Sequence, residues 1–217
     1  MHRRRKILFM QVTKYAHACF VAETDGKALI VDPGTWSDDL QPYDNVVGIV
    51  VTHAHPDHLD SNMLLAITTH NPDVVIYGPE DVISQLNNLP GHAVTAGDTM
   101  TCGPFGLEFF GGGHADIHSS MPSGMNVGVM INNDVYYPGD SFTVPGKPVA
   151  HLALPVSAPW LKLSEVIDFV QAVKPTTAFP THDAILSDTG KALVDQLLSG
   201  ACKNSGVTYE RLPSATS

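Results

Sequence analysis

Thr52-His53-Ala54-His55-Pro56-Asp57-His58 packs three histidines and one aspartate into six residues. At this composition such a cluster arises by chance in about one sequence in 500, so it is read as a site rather than as filler. Neutral imidazole and carboxylate are ligands for zinc, iron or manganese, and no cysteine lies close by to bring thiolate chemistry. His53 and His55 stand two apart in an extended segment, which points both side chains the same way. Asp57 and His58 follow a proline-marked turn and can face a second ion. Two ions about 3.5–4 Å apart are a common hydrolytic arrangement.

The elements that must hold this cluster are legible as short runs. Residues 46–52 are almost continuously apolar, as expected of a strand buried on both faces, and the run ends directly in His53. Before it, residues 7–13, 18–22 and 27–32 read as strands, the last two joined as a hairpin by Thr24-Asp25-Gly26; residues 36–45 read as a loop. After it, Asp60 or Ser61 caps a helix carrying Met63, Leu64, Ala66 and Ile67, stopped by Asn71-Pro72. Residues 74–77 form a further buried strand, and Gly78-Pro79-Glu80 opens a helix through Leu86. This alternation implies right-handed crossovers over one sheet. Strands return at 92–95, 99–102 and 107–110, the last broken by Gly111-Gly112-Gly113-His114. Residues 127–131 and 135–137 make a second hairpin, and 149–155 a buried strand. Ser164 is expected to cap a helix to Val173. Residues 176–179 form a strand ending in His182, 189–198 a last helix closed by Gly200, and 207–212 a final edge strand. The two halves look alike and no linker parts them, so one domain over residues 1–217 is expected, with two sheets face to face and helices outside.

Composition narrows the partners. The chain has 217 residues with 43% hydrophobic content, enough for a sizeable core. Its 12 Lys+Arg against 22 Asp+Glu give a net charge of -10, which repels phosphate backbones and argues against nucleic-acid binding. Three cysteines (Cys19, Cys102, Cys202) cannot close a disulfide set, which fits a reducing cytoplasm. No run is long and apolar enough to cross a membrane. The basic start, Met1 to Lys6, is followed by too short an apolar run for a signal peptide. The expected partner is a small-molecule substrate, with no membrane and with self-association left open.

His53-x-His55-x-Asp57-His58 at the end of a buried strand resembles the signature of the metallo-β-lactamase superfamily. The resemblance runs nearly the whole chain. Tyr15-Ala16-His17-Ala18-Cys19-Phe20 and Val31-Asp32-Pro33-Gly34 look like the opening of its lactonase-like, metal-dependent hydrolase-like branch, with Ala16 where that branch usually has Gly. Gly113-His114 looks like the superfamily's third histidine, Tyr137-Pro138-Gly139-Asp140-Ser141 like its Gly-Asp turn, and Pro180-Thr181-His182-Asp183 like its last histidine. The resemblance implies an α/β (α+β) fold, a four-layer αββα sandwich of two mixed β-sheets with outer helices. It implies that His53, His55 and His114 hold one metal, that Asp57, His58 and His182 hold the other, and that Asp140 bridges them.

Each of these residues also falls just past an expected strand end, where such sheets place their sites. His118, four residues on, competes with His114; the preceding Gly113 and strand favour His114, leaving His118 to line the pocket or support a ligand. His17 and Asp32 are read as supporting residues. His2, His70, His92 and His151 are read as surface or core fillers. The loop from Ser157 to Lys162 either walls a substrate pocket with Trp160 or simply joins strand to helix, and Lys162 either meets an anion or is solvated.

The reaction class expected is hydrolysis by a hydroxide activated between two divalent ions, zinc best matched, with manganese or iron as alternatives. Asp57 and Asp140 are the catalytic carboxylates, Asp57 orienting the nucleophile. The substrate is an ester, lactone or related small molecule. Phosphodiester cleavage and iron-based redox chemistry are the alternatives. The di-iron reductases place Glu where this chain has His55, and they usually need a flavin module that this chain lacks. A non-catalytic binding module is disfavoured by the complete ligand set.

Overall fold

Most strands are buried nearly along their whole length, and the two-residue period of a strand sends successive side chains to opposite faces, sorting them into three separate layers. A computed structural model of the chain describes residues 10–37, 40 and 43–213. The first sheet has six strands in chain order: β1 (Gln11–Lys14), β2 (Phe20–Thr24), β3 (Lys27–Val31), β4 (Val46–Val50), β5 (Val75–Gly78) and β6 (Gly91–Ala93). β1 to β3 pair antiparallel; β3 to β6 pair parallel. The second sheet has seven strands, again in chain order: β7 (Thr99–Cys102), β8 (Phe105–Gly111), β9 (Val127–Ile131), β10 (Val135–Tyr137), β11 (His151–Pro155), β12 (Thr177–Thr181) and β13 (Thr208–Tyr209). It too runs antiparallel first, through β10, and parallel after. Both sheets are mixed, and the two halves repeat one plan.

The layers follow from the alternation. Phe20, Ala22, Leu29, Val31 and Val50 of the first sheet meet Phe105, Phe109, Val129, Tyr137 and Phe179 of the second in the central core. The residues between them point outward. Val21, Ile30, Ile49 and Ile76 pack under Leu64 and Ile67 of α1 (Ser61–His70) and Val82 of α2 (Glu80–Ile83). Met130, Tyr136, Leu152 and Leu154 pack under Val166 and Phe169 of α3 (Leu163–Val173) and Leu198 of α4 (Asp188–Asn204). The result is a four-layer αββα sandwich, as the sequence implied. Among the described residues no helix is long and apolar enough to cross a membrane.

Element boundaries moved where local chemistry outweighed pattern. Residues 7–9 of the first expected strand, His2, and parts of the 36–45 loop lie outside the described residues. Asp60 is the cap of α1, its Oδ1 accepting from the Asn62 and Met63 amides. The helix after Gly78 is a single turn, and the chain beyond it passes through left-handed Asn87 and Asn88, with φ of 45° and 75°, ahead of Pro90. Ser164 does not cap α3: Lys162 holds the cap position and its amide donates to the Glu165 carboxylate at 3.0 Å. Gly200 does not close the last helix, which begins beyond the Ser187 cap and runs on to Asn204 because Leu198 and Cys202 are buried against the second sheet. The final strand shrinks to two residues.

The ends of β3, β4, β8, β10 and β12 feed one region. His53 follows β4, Asp32 follows β3, His114 follows β8, Asp140 follows β10, and His182 directly follows β12. Gly34 lets the turn after β3 lie against the metal-motif loop: a Cβ there would stand 1.9 Å from the Asp57 carbonyl oxygen. Gly34→Ala therefore has to displace the backbone at Asp57 and His58. We expect it to lower stability by about 3 kcal/mol, the upper part of the range for overpacking, read as a fall in the urea midpoint. An unchanged midpoint would show that the loop yields freely.

Candidate metal centre

All seven residues singled out by motif are brought into one cluster. His53, His55 and His114 form one group whose ligand atoms lie within 4.8 Å of one another; Asp57, His58 and His182, with His17, form a second. Asp140 groups with His53 and His58, one member from each set. Its Oδ1 lies 3.4 Å from His58 Nε2, and its Oδ2 lies 3.0 Å from His182 Nε2 and 3.4 Å from His114 Nε2. His118 stays out of the cluster, exposed, with Nδ1 against the Ser120 hydroxyl at 2.7 Å.

Four of the imidazoles are anchored through Nδ1. His58 Nδ1–H donates to Asp32 Oδ2, His114 to the Ala115 carbonyl and His182 to the Ser157 carbonyl, each at 2.6 Å. His53 donates to Thr52 Oγ1 at 3.0 Å, and that hydroxyl donates onward to Asp32 Oδ2 at 2.7 Å. Anchoring Nδ1 as the donor leaves Nε2 as the free lone pair. The Nε2 atoms of His53, His58, His114 and His182, together with Asp140 Oδ1, are buried without a hydrogen-bond partner. Five orphaned polar atoms in one place would cost heavily in lost solvation. Cations that accept lone pairs satisfy all of them at once. The donors are imidazole and carboxylate, the set that suits zinc and neighbouring transition metals.

His17 is wired the opposite way. Its Nδ1 accepts from the Ala184 amide at 3.3 Å, so its proton sits on Nε2 and is donated to Asp57 Oδ2 at 2.9 Å. It holds Asp57 in place instead of supplying another lone pair. The buried Lys14 ammonium donates to the Tyr15 and His17 carbonyls and fixes this turn. His17, Asp32 and His182 all take left-handed φ, at 54°, 46° and 58°, a conformation that non-glycine residues keep only where their surroundings compel it.

Charge balance in the metal-free cluster pulls its histidines apart. Burial, only partly offset by Asp57, holds His17 down at about 4, and burial with the neighbouring His58 keeps His53 well below the usual range. Burial also opposes charge on His182, but Asp140 and Asp57 outweigh it and lift that group to about 10. His58 is likewise raised, Asp140 and Asp32 overcoming its burial. Although burial works against them, Asp140 and Asp57 are held well below the ordinary carboxylate range, Asp140 chiefly by His58 and Asp57 chiefly by His17. Without metal, protons on His58 and His182 stand in for positive charge between the carboxylates.

Asn126 carries no signal in the sequence, and the Trp160 loop carries only a weak one. Asn126, fully buried, ties the Gly-Asp turn from both sides, donating to the Pro138 carbonyl and accepting from the Asp140 amide, each at 2.9 Å. The Trp160 indole donates to Asp140 Oδ2 at 2.8 Å, so the Ser157–Lys162 loop touches the centre itself. Lys162 is the solvated residue its position suggested, 81% exposed.

The chain is similar to known proteins over most of its length. A family model described as a beta-lactamase superfamily domain matches residues 11–182. Protein Rv0786c of Mycobacterium tuberculosis is 34% identical over 189 residues, 85% of this chain and 89% of that protein. The UPF0173 metal-dependent hydrolase MJ1163 of Methanocaldococcus jannaschii is 31% identical over 137 residues, and the match spans 60% of each chain. The metallo-beta-lactamase fold protein YhfI of Bacillus subtilis superposes with a TM-score of 0.68 at 19% identity, over 90% of this chain and 89% of that one.

Two outcomes follow from the cluster. Replacing His114 by Ala removes a buried Nε2 and is expected to lower metal content, whereas His118→Ala is expected to leave it intact; elemental analysis of both variants checks this, and the reverse result would invert the assignment. Stability of the metal-free protein is expected to peak near pH 6.5, the ordinary histidine value. Below it, the unfolded chain binds protons that His17 and His53 refuse, so stability falls with acid. Above it, the unfolded chain sheds protons that His58 and His182 keep, so stability falls as pH rises toward 10. Melting temperatures across this range in chelator test it; a flat profile would contradict it.

Proposed function

The chain belongs to the metallo-β-lactamase superfamily, and from that premise we propose that it is a hydrolase working with two divalent ions, zinc being the best match, on a small uncharged ester or lactone. The observation that carries this reading is the set of four orphaned imidazole nitrogens converging with Asp140. His53, His55 and His114 would hold one ion, Asp57, His58 and His182 the other, with Asp140 shared. When bound, such a pair lowers the pKa of a water from 15.7 toward about 7 and draws charge from the oxygen under attack. Asp57, with 18% of its side chain exposed, is the carboxylate that solvent and substrate reach; Asp140, at 3%, is enclosed. His17 keeps Asp57 Oδ2 turned inward, and Asp57 is placed to orient the attacking water. The fixed Nδ1 anchors keep the ligating nitrogens from reorganising during the reaction.

The surroundings favour an uncharged substrate over a phosphodiester. Among the described residues, the cations on the His17 side are committed elsewhere: Lys14 to two carbonyls, Arg211 to Asp183 and Asp195. Trp36, 43% exposed and edge-on to His17 at 4.7 Å, offers an apolar wall on one side, and Trp160 offers another. No serine is paired with a free histidine in the cluster, so no covalent intermediate is called for.

The test is a screen of lactone, ester and phosphodiester substrates on metal-loaded protein. Asp140→Ala is expected to lower the neutral-pH rate by about a thousandfold, equivalent to roughly 4 kcal/mol of barrier. Ser141→Ala and Ser157→Ala are expected to cost little. Selective phosphodiester cleavage, or a serine variant that loses all activity while keeping both metals, would overturn this reading.

A further inference from the structure

Trp160 sits at the end of a chain of aromatic contacts that leads from α3 into the metal centre. Phe169 of α3 packs on Phe142 at 5.1 Å between ring centroids, and Phe142 packs on Trp160 at 5.2 Å and 66°. A turn closed by the Leu161 amide and the Ala158 carbonyl, at 3.2 Å, carries Trp160 over the cluster, where its ring meets His114 at 6.2 Å and His182 at 6.5 Å. The indole N–H then lies 2.8 Å from Asp140 Oδ2.

An indole N–H donates one hydrogen bond and accepts none, and it keeps its proton at neutral pH. It cannot ligate an ion or exchange a proton with one. What it can do is tie one oxygen of a carboxylate. The Asp140 backbone is already pinned by Asn126; with Oδ2 held by Trp160, the last freedom, rotation of the carboxylate, is removed as well. Oδ1 is thereby presented, partnerless, 3.4 Å from His58 Nε2.

We propose that Trp160 is a positioning residue for the shared metal ligand: through its N–H it orients the Asp140 carboxylate so that both ions are captured. The proposal rests on the metal reading above. A wall residue would serve equally well as phenylalanine, whereas a positioning donor would not.

The experiment is a zinc titration against a chromophoric chelator with wild type, W160F, D140A and the double variant. Loss of a hydrogen bond that orients a metal ligand typically costs 10–100-fold in metal affinity. That is the weakening expected for W160F, with near- and far-UV circular dichroism confirming the fold. Because Trp160 acts through Asp140, adding W160F to D140A is expected to change affinity by less than about twofold. A second measurement leaves Trp160 in place: in W36F it is the only indole of the chain's two, and its emission is expected to shift as zinc is added and to stay unchanged in W36F/D140A. W160F binding zinc as wild type does, a full-sized W160F effect on top of D140A, or emission blind to zinc would overturn the proposal. Wild type that binds no zinc would overturn the metal reading and this proposal together.

Discussion

One buried carboxylate underlies the centre. Asp32 is wholly enclosed and accepts three hydrogen bonds, from the Thr52 amide, the Thr52 hydroxyl and His58 Nδ1. Hydrogen bonds to a charged group contribute about 1.5–3 kcal/mol each, and leaving such a group unpaired in the interior costs more. Asp32 therefore dictates both proton positions on the motif: directly on His58, and through the Thr52 hydroxyl on His53. Its own backbone is left-handed, and two residues on Gly34 lies close against Asp57. Once those tautomers are set, the remaining lone pairs can only face one another, and a cation is the group that reconciles them.

The second half supplies the complement by a different device. His114 and His182 are anchored on backbone carbonyls, not on a carboxylate. Two backbone–backbone hydrogen bonds stitch the halves beside the centre: the Val127 amide to the Thr52 carbonyl at 2.9 Å, and the His182 amide to the His17 carbonyl at 3.0 Å. The central core brings the sheets together without direction; these bonds set the register in which the two groups of ligands meet.

Much of this was legible in the sequence because it is local. The motif is contiguous, and each candidate site residue follows an expected strand. The Gly-His, Gly-Asp and Pro-Thr-His turns point to the distant candidate ligands through their resemblance to the superfamily's turns. What escaped depends on contacts between remote segments. Nothing around Trp160 announces that its loop reaches Asp140, and Asn126 reads as an ordinary polar residue before a strand. His17 was placed as a supporting residue, but the direction of its hydrogen bonds comes from Ala184, at the other end of the chain. The helix ends expected at Ser164 and Gly200 fall elsewhere: Glu165, three residues past Lys162, fixes the cap at Lys162, and burial of Leu198 and Cys202 carries the last helix past Gly200.

The seam between the halves has a consequence for the protein's lifetime. The Thr52–Val127 and His17–His182 bonds join segments that bring ligands from both sheets, so an ion held there would act as a rivet across the sandwich. A species bound by the folded state alone stabilises it by mass action, about 4 kcal/mol when present at a thousand times its dissociation constant. Degradation draws on the rare opened molecules, whose number falls in proportion. Metal supply would then govern how much of the protein persists as well as how fast it turns over substrate, and scarcity would clear idle copies.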